Sequence, residues 1–318
     1  MRAGVFAHRP FFIAVRVAAE LDQSIHQSDP LTTSKSQFPT PPLQCGRFVL
    51  SFERPLVMGI LNVTPDSFSD GGRFLARDDA IRRAEEMLAD GAELIDIGGE
   101  STRPGAVPVA LDEELARVIP IVEALRQLNV PLSVDTYKPA VMRAALDAGA
   151  DMINDIWGFR QPGALDAVRD SNCGLCVMHM LGEPQTMQAN EPVYRDVVAD
   201  VRAFFDERVN ALTNAGIARE RICLDPGYGF GKTEAHNFAL LAHLADTIPA
   251  GTNYPLLAGM SRKSMLGAAT GRKKGERVAA GVAAAVCAAE RGAAIIRVHD
   301  VAPTVDAMKV WKATKDAA

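Results

Sequence analysis

From Leu56 onward, short apolar runs rich in β-branched residues alternate with longer amphipathic stretches. The runs are Leu56–Val63, Leu94–Ile97, Leu132–Val134, Met152–Ile156, Leu175–Met178, Ile222–Leu224, Pro255–Ala258 and Ile295–Val298. Short apolar runs bounded by turn residues predict buried strands. Between and after them lie Asp79–Ala89, Glu113–Leu128, Ala140–Ala148, Ala164–Arg169, Tyr194–Ala215, Glu234–Ala245, Val278–Arg291 and Thr304–Lys312. Apolar residues there recur three and four apart, as in Ile81, Ala84, Met87 and Leu88, which predicts helices. Gly91, Gly149, Gly216 and Gly292 precede strands at points where a left-handed helix cap is needed. Eight strand–helix units within about 250 residues predict an α/β fold, a single (β/α)8 TIM barrel. A doubly wound open sheet has the same alternation, but no dinucleotide fingerprint is present, which favours the closed barrel.

The first 50 residues break this pattern. Up to Ala19 the chain has Arg2, Arg9 and Arg16 and no acid, and Arg16 closes an apolar run too short for a signal peptide. The Arg-rich, acid-poor start leaves a transit peptide open. Gln23–Gln44 is rich in Ser, Thr, Gln and Pro and cannot bury enough apolar surface to offset its ordering entropy. Residues 1–45 are therefore expected to be a disordered extension whose deletion changes neither turnover nor melting temperature, with the barrel domain at 46–318.

Composition narrows the function. The chain has 34 Lys and Arg against 39 Asp and Glu, a net charge of −5. That slight acidity argues against nucleic-acid and anionic-membrane partners, which select a basic face. The longest nearly unbroken apolar stretch, Val278–Ala289, is too short to span a bilayer. Its all-round apolar surface suits a core or a subunit interface. Five scattered cysteines (Cys45, Cys173, Cys176, Cys223, Cys287) fit a reducing compartment, and hence the cytoplasm, better than a disulfide framework.

The sharper signal lies in the polar residues at the end of each apolar run. Strand one ends in Asn62-Val63-Thr64-Pro65-Asp66-Ser67, and strand two holds Asp96 before Gly98-Gly99-Glu100-Ser101-Thr102-Arg103-Pro104. Strand three leads to Asp135-Thr136, strand four to Asn154-Asp155, strand five to His179 and strand six to Asp225-Pro226-Gly227. Strand seven leads to Ser261-Arg262-Lys263-Ser264, and strand eight carries Arg297, His299 and Asp300. In a barrel these positions share the rim where the βα loops build active sites. One polar strand end is usually a turn residue; eight of them point to one polar site. Arg262, Lys263, Arg297, His299 and Arg103 could hold an anionic group such as a phosphate. Asp135, Asn154 and Asp225 supply acceptors for a heterocycle rich in N–H donors, such as a purine or pterin.

Three tempting features carry less. Cys173 and Cys176 have CxxC spacing but no second ligand pair, so they read as core cysteines. The Gly-rich run from Gly227 to Lys232 matches neither a Walker nor a Rossmann spacing; it is a ligand-approaching loop or a tight turn. His236 and His243 read as surface or packing residues, and Trp311 as an anchor for the last helix.

The segments LVMGILNVTPDSFSDGG (Leu56–Gly72), GGESTRPGA (Gly98–Ala106), SVDTYKP (Ser133–Pro139), DMINDI (Asp151–Ile156), DPGYGFGK (Asp225–Lys232), MSRKSMLG (Met260–Gly267) and IIRVHDV (Ile295–Val301) resemble the dihydropteroate synthase family. The resemblance runs from about residue 47 to 314. It implies condensation of a hydroxymethyl-dihydropterin pyrophosphate with 4-aminobenzoate, assisted by Mg²⁺, in a cytoplasmic homodimer of a class targeted by sulfonamides. It further implies pterin contacts at Asp135, Asn154, Asp225 and Lys263 and a pyrophosphate site at Asn62, Arg297 and His299, with Asn62 also at the metal. Thr102, Arg103, Pro104, Phe230 and Ser264 would hold aminobenzoate, and Lys263, Arg297 and Asp135 would be catalytic. Single elements are shared with pterin-binding methyltransferase barrels, and a non-catalytic pterin-binding paralogue is the other alternative.

Overall fold

The computed structural model describes residues 40–63, 72–101, 105–182 and 192–318, with the backbone alone at 72–76. Eight parallel strands close into a barrel: β3 (Leu56–Asn62), β4 (Leu94–Gly98), β5 (Leu132–Asp135), β6 (Met152–Asp155), β7 (Gly174–Met178), β8 (Ile222–Asp225), β9 (Leu256–Ala258) and β10 (Ala293–Val298). Neighbours in sequence are neighbours in the barrel, and β10 closes it against β3. This is the (β/α)8 barrel that the hydrophobic alternation predicts. Around it run α1 (Gly72–Ala89), α2 (Leu111–Leu125), α3 (Pro139–Ala148), α4 (Ala164–Val168), α5 (Val197–Asn214), α6 (Glu234–Ala242), α7 (Ser264–Thr270), α8 (Val278–Glu290) and α9 (Val301–Asp316). Among the described residues no helix is long and apolar enough to cross a membrane.

Local chemistry sets the helix ends. Pro139 opens α3, where its missing N–H costs nothing, and Gly149 closes it in the left-handed region. Asp196 caps α5 by accepting from the Val198 and Ala199 amides. His236 completes a capping box with Thr233 at the start of α6, so it serves the helix end. Trp311 packs partly buried on α9 and donates to Glu290 Oε1 at 2.6 Å, the anchoring expected of it.

Side chains alternate along each strand with period two, which sorts the barrel interior into layers. Met58, Leu94, Met152, Cys176, Cys223, Leu257 and Ile295 form one buried apolar cluster. Two residues further along the same strands stand Asp96, Asn154, Asp225 and Arg297. The barrel is therefore apolar at the strand N-terminal end and polar toward the C-terminal end. Cys173 and Cys176 are buried, and the paired strands place Cys176 beside Cys223, in keeping with core cysteines.

One expectation is corrected. The proposed disordered extension lies outside the described residues up to position 39, but the boundary at 45 is wrong. Leu43–Cys45 (β1) and Phe48–Leu50 (β2) form an antiparallel hairpin. Leu43, Cys45 and Leu50 are buried in the same cluster as Met58, Met152 and Ile295, closing the apolar end of the barrel. Arg47 fixes the turn: Nε and Nη2 donate to Asp151 at 2.9 and 2.8 Å, and Asp151 also accepts from the Leu132 amide. A composition rich in Pro, Ser and Thr concealed two residues, Leu43 and Cys45, that have a core to join.

A chain starting at residue 46 should accordingly melt below one starting at residue 40. Removing a buried leucine alone costs about 2–5 kcal/mol, which at roughly 2–4 °C per kcal/mol is a fall of at least about 4 °C. Equal melting temperatures by calorimetry would show that the hairpin does not plug the barrel.

Candidate active site

The polar layer converges on one end of the barrel. Asp96, Asn154 and Asp225 are buried, and Asp135 and Arg297 nearly so. Arg297 on β10 donates from Nε to Asp96 Oδ2 at 2.6 Å and from Nη2 to Asp135 Oδ2 at 2.7 Å. Asn154 Nδ2 donates to the same Asp96 oxygen at 3.3 Å. Asp96 Oδ1, Asp135 Oδ1, Asn154 Oδ1 and Ser133 Oγ are buried with no hydrogen-bond partner among the described residues. Buried polar atoms are ordinarily satisfied, so a run of acceptors without partners marks a place prepared for a donor-rich ligand.

Asp225 ends β8, and its Oδ1 accepts from the Gly227 amide at 2.8 Å. The loop beyond it turns tightly because Gly227 has φ +69° and a Cβ there would lie 1.9 Å from the His179 carbonyl oxygen. Only glycine fits that approach. The loop brings the Tyr228 carbonyl to Lys263 Nζ, which donates to it, and sets the Phe230 ring with its centroid 4.9 Å from Nζ. Asp135, Asn154, Asp225, Lys263, Arg297 and Phe230 are thus brought to one rim.

The remaining candidates divide. Asn62 ends β3 half-buried, opposite Gly98 and near Asp135: a Cβ on Gly98 would lie 3.9 Å from Asn62 Oδ1 and 3.8 Å from Asp135 Cβ. His299 is half-buried after β10, and its Nδ1 lies 3.1 Å from Ser261 Oγ. Ser264 is exposed at the first residue of α7. Thr102, Arg103 and Pro104 lie outside the described residues. Arg262 pairs with Asp300 through Nε and Nη2 at 3.1 and 2.5 Å.

Two groups escaped the sequence reading. Lys232 is buried at the end of the Gly-rich loop, where Nζ donates to the carbonyls of Gly227, Phe230 and His179 and meets His179 Nδ1 at 2.9 Å. It straps the loop carrying Tyr228 and Phe230 to the end of β7, and it explains the Gly-rich run as a scaffold for Lys263. On the other side Lys138 donates to both Glu100 and Glu114, and Glu100 also accepts from Tyr137 Oη and the Val109 amide. That network fixes the stem of the loop after β4. The only sequence signal for either group was a charged residue at the end of a motif.

Burial shifts the charged groups. Asp135 is raised to about 7 by burial, partly offset by Arg297 and reinforced by Asp96. Burial also raises Asp225, against the pull of Lys263. Lys263 is lowered to about 8 by burial, with Asp225 opposing and Arg297 adding to the fall. Burial works against the charge of Arg297 too, but Asp96 and Asp135 outweigh it and its pKa is raised. The values for Asp135 and Lys263 lie close to neutral pH, as at sites built for binding and catalysis.

The family model for "Pterin binding enzyme" matches residues 58–299. The dihydropteroate synthase of Escherichia coli (strain K12) is 52% identical over 269 residues, covering 84% of this chain and 94% of that protein. The crystal structure of Burkholderia cenocepacia dihydropteroate synthase complexed with 7,8-dihydropteroate superposes with a TM-score of 0.82 at 71% identity, over 88% of this chain and 98% of that one. The Xanthomonas albilineans dihydropteroate synthase with 4-aminobenzoic acid gives a TM-score of 0.81 at 52% identity, over 87% and 98% of the two chains.

This geometry predicts two outcomes, both read by calorimetric titration with a dihydropterin pyrophosphate. Below about 7 Asp135 takes up a proton, loses its charge and gains a donor; above about 8 Lys263 loses its charge. Affinity should therefore peak between those values and fall on both sides, whereas a flat profile would contradict the assignment. Asp225→Asn should leave the fold intact and weaken binding by about 1.5–3 kcal/mol, the range for a charge-assisted hydrogen bond. Unchanged affinity would remove Asp225 from the site.

Proposed function

The chain belongs to the dihydropteroate synthase family, and from that premise we propose that it joins 6-hydroxymethyl-7,8-dihydropterin pyrophosphate to 4-aminobenzoate, giving 7,8-dihydropteroate and pyrophosphate. The observation that carries the reading is the convergence of Asp135, Asn154 and Asp225, all buried acceptors, with Lys263 on one barrel rim.

In this reading Asp225 accepts from the N3–H and exocyclic amine of the pterin, the two-donor edge that a carboxylate matches. Asp135 and Asn154 accept further along the ring through oxygens with no partner among the described residues. Lys263 lies against the bound ring, steadied by the Tyr228 carbonyl and the face of Phe230. Arg297, His299 and Asn62 receive the pyrophosphate. As the C–O bond breaks, the bonding pair leaves with pyrophosphate, and Arg297 and His299 stabilise the growing charge. The aminobenzoate nitrogen attacks the methylene, the new C–N bond forms, and the nitrogen gives up one proton to solvent. An electron-rich pterin can bear positive charge at that methylene, so a dissociative displacement needs no strong base. Phe230, Ser264, Thr102, Arg103 and Pro104 are proposed to hold the aminobenzoate.

The donor set fits Mg²⁺. Asn62 offers a neutral amide oxygen at the C-terminal end of β3, on the rim shared with Asp135 and Arg297. Mg²⁺ is commonly held by one or two protein oxygens together with substrate phosphates and water. Bound there, the ion would neutralise charge on the leaving pyrophosphate.

A homodimer and a cytoplasmic location complete the proposal. Ala284, Ala285, Ala288 and Ala289 of α8 are buried, while its Val278 is 37% exposed and its Ala279 and Ala283 are exposed. An apolar face of small residues suits close packing against a second copy. Light scattering at micromolar concentration should report twice the chain mass, and a monomer would remove that part. Unpaired cysteines support the cytoplasm.

The deciding experiment is a coupled assay for pyrophosphate with both substrates present. Release that depends on aminobenzoate is expected. Pterin binding without release would indicate a non-catalytic paralogue, and methyl transfer in its place a methyltransferase-type barrel.

A further inference from the structure

We propose that Asp96 is a positioning residue: it fixes which atoms Asn154 and Arg297 turn toward the ligand, and so makes the site specific for a ring edge that presents N–H donors. The inference rests on the pterin reading above. Asp96 lies on β4, wholly buried and between the apolar layer and the rim. Its Oδ2 accepts from Arg297 Nε at 2.6 Å and from Asn154 Nδ2 at 3.3 Å.

The consequence for Asn154 comes from shape. A carboxamide turned end over end occupies nearly the same space but exchanges its donor and its acceptor. An ionised carboxylate only accepts, so it draws the NH₂ end of Asn154 to itself and leaves Oδ1 without a partner among the described residues. Arg297 is held in the same way. Asp96 takes Nε, Nη2 is thereby directed to Asp135 Oδ2, and Asp135 Oδ1 is left without a partner among the described residues. Asp135 and Asn154 are register partners on β5 and β6. One buried carboxylate therefore orients two acceptors on adjacent strands. A ring presenting N–H groups meets both, whereas a ring presenting lone pairs is repelled by both. Without the Asp96 carboxylate, the Asn154 amide is free to turn and the preference is lost.

A test must separate this role from simple loss of packing, and the titration of Asp135 does so. The charged groups facing Asp135 are Arg297 from β10, Asp96 from β4, Glu114 from α2, Asp155 from β6 and Lys263 after β9. Asp96→Asn removes a negative neighbour and leaves Arg297 to Asp135 alone, so the acid limb of binding, at about 7 in the wild type, should move to lower pH. Affinity for dihydropterin pyrophosphate above that limb should fall by roughly tenfold or more, the scale of one charged hydrogen bond. Asn154→Asp places two carboxylates together, and its limb should move to higher pH. The exchange variant D96N/N154D restores an amide–carboxylate pair with reversed polarity and should recover most of the affinity lost in either single variant.

Calorimetric titration of the four proteins across pH, with melting temperatures as a check on folding, decides the matter. A loss in D96N that is equal at every pH, or no loss, overturns the inference and leaves the pterin reading standing. If D96N does not fold, the exchange variant decides: affinity no better than that of N154D overturns the inference, and recovery supports it. A wild-type chain that does not bind the pterin overturns the functional reading, and the inference with it.

Discussion

A guanidinium at the axis of a barrel has to be answered by charge, and Arg297 is answered twice, by Asp96 at 2.6 Å and Asp135 at 2.7 Å. Removing such ions from water costs several kcal/mol each, and the cost is recovered only through close pairing. The pairing here is incomplete because of where the strands place the partners. Each carboxylate keeps one oxygen without a partner among the described residues, as does Asn154 beside them. Two carboxylates, one guanidinium and an amide thus hold each other in place while leaving acceptors for a ligand. The near-neutral titration of Asp135 comes from burial tempered by this pairing.

The rim around that core is stiffened by two further networks, each built on a lysine whose amine is held by groups of the protein itself. Lys232 gathers the carbonyls of Gly227, Phe230 and His179, which shapes the loop presenting Phe230 and the Tyr228 carbonyl to Lys263. Lys138 joins Glu100 to Glu114 across the stem of the loop after β4. At the opposite end the β1–β2 hairpin covers the apolar layer. A site built on strand ends and braced loop stems is held more closely than one resting on loops alone.

Much of this was legible in the sequence because the barrel repeats one simple pattern. Each strand appeared as a short apolar run, and the polar residues inside or directly after those runs, Asp96, Asn154, Asp225 and Arg297, stand two positions past an apolar one. Period-two alternation places both on the inner face, so the candidate acceptors could be named without coordinates. What was hidden depended on contacts distant in sequence. Arg262 and Asp300 meet only because β9 and β10 are neighbours. Asp96 gained a role only when closure of β10 against β3 brought Arg297 to it. The hairpin was missed because its first strand, Leu43–Cys45, directly follows a Pro- and Thr-rich stretch and carries only two apolar residues. Lys232 was missed because a lysine ending a glycine-rich loop has no local mark of burial.

The central claim, that the buried acceptors of β5, β6 and β8 form one recognition edge organised around Arg297, is tested most directly by a crystal structure of this chain with a dihydropterin bound. The account predicts the ring at the strand C-terminal end, with its N–H groups within hydrogen-bond distance of Asp225, Asn154 Oδ1 and Asp135 Oδ1, and the Asp96–Arg297–Asp135 bridge unbroken. A pterin bound elsewhere on the barrel, or at this rim with the bridge broken and the Asn154 amide turned to donate, would contradict it.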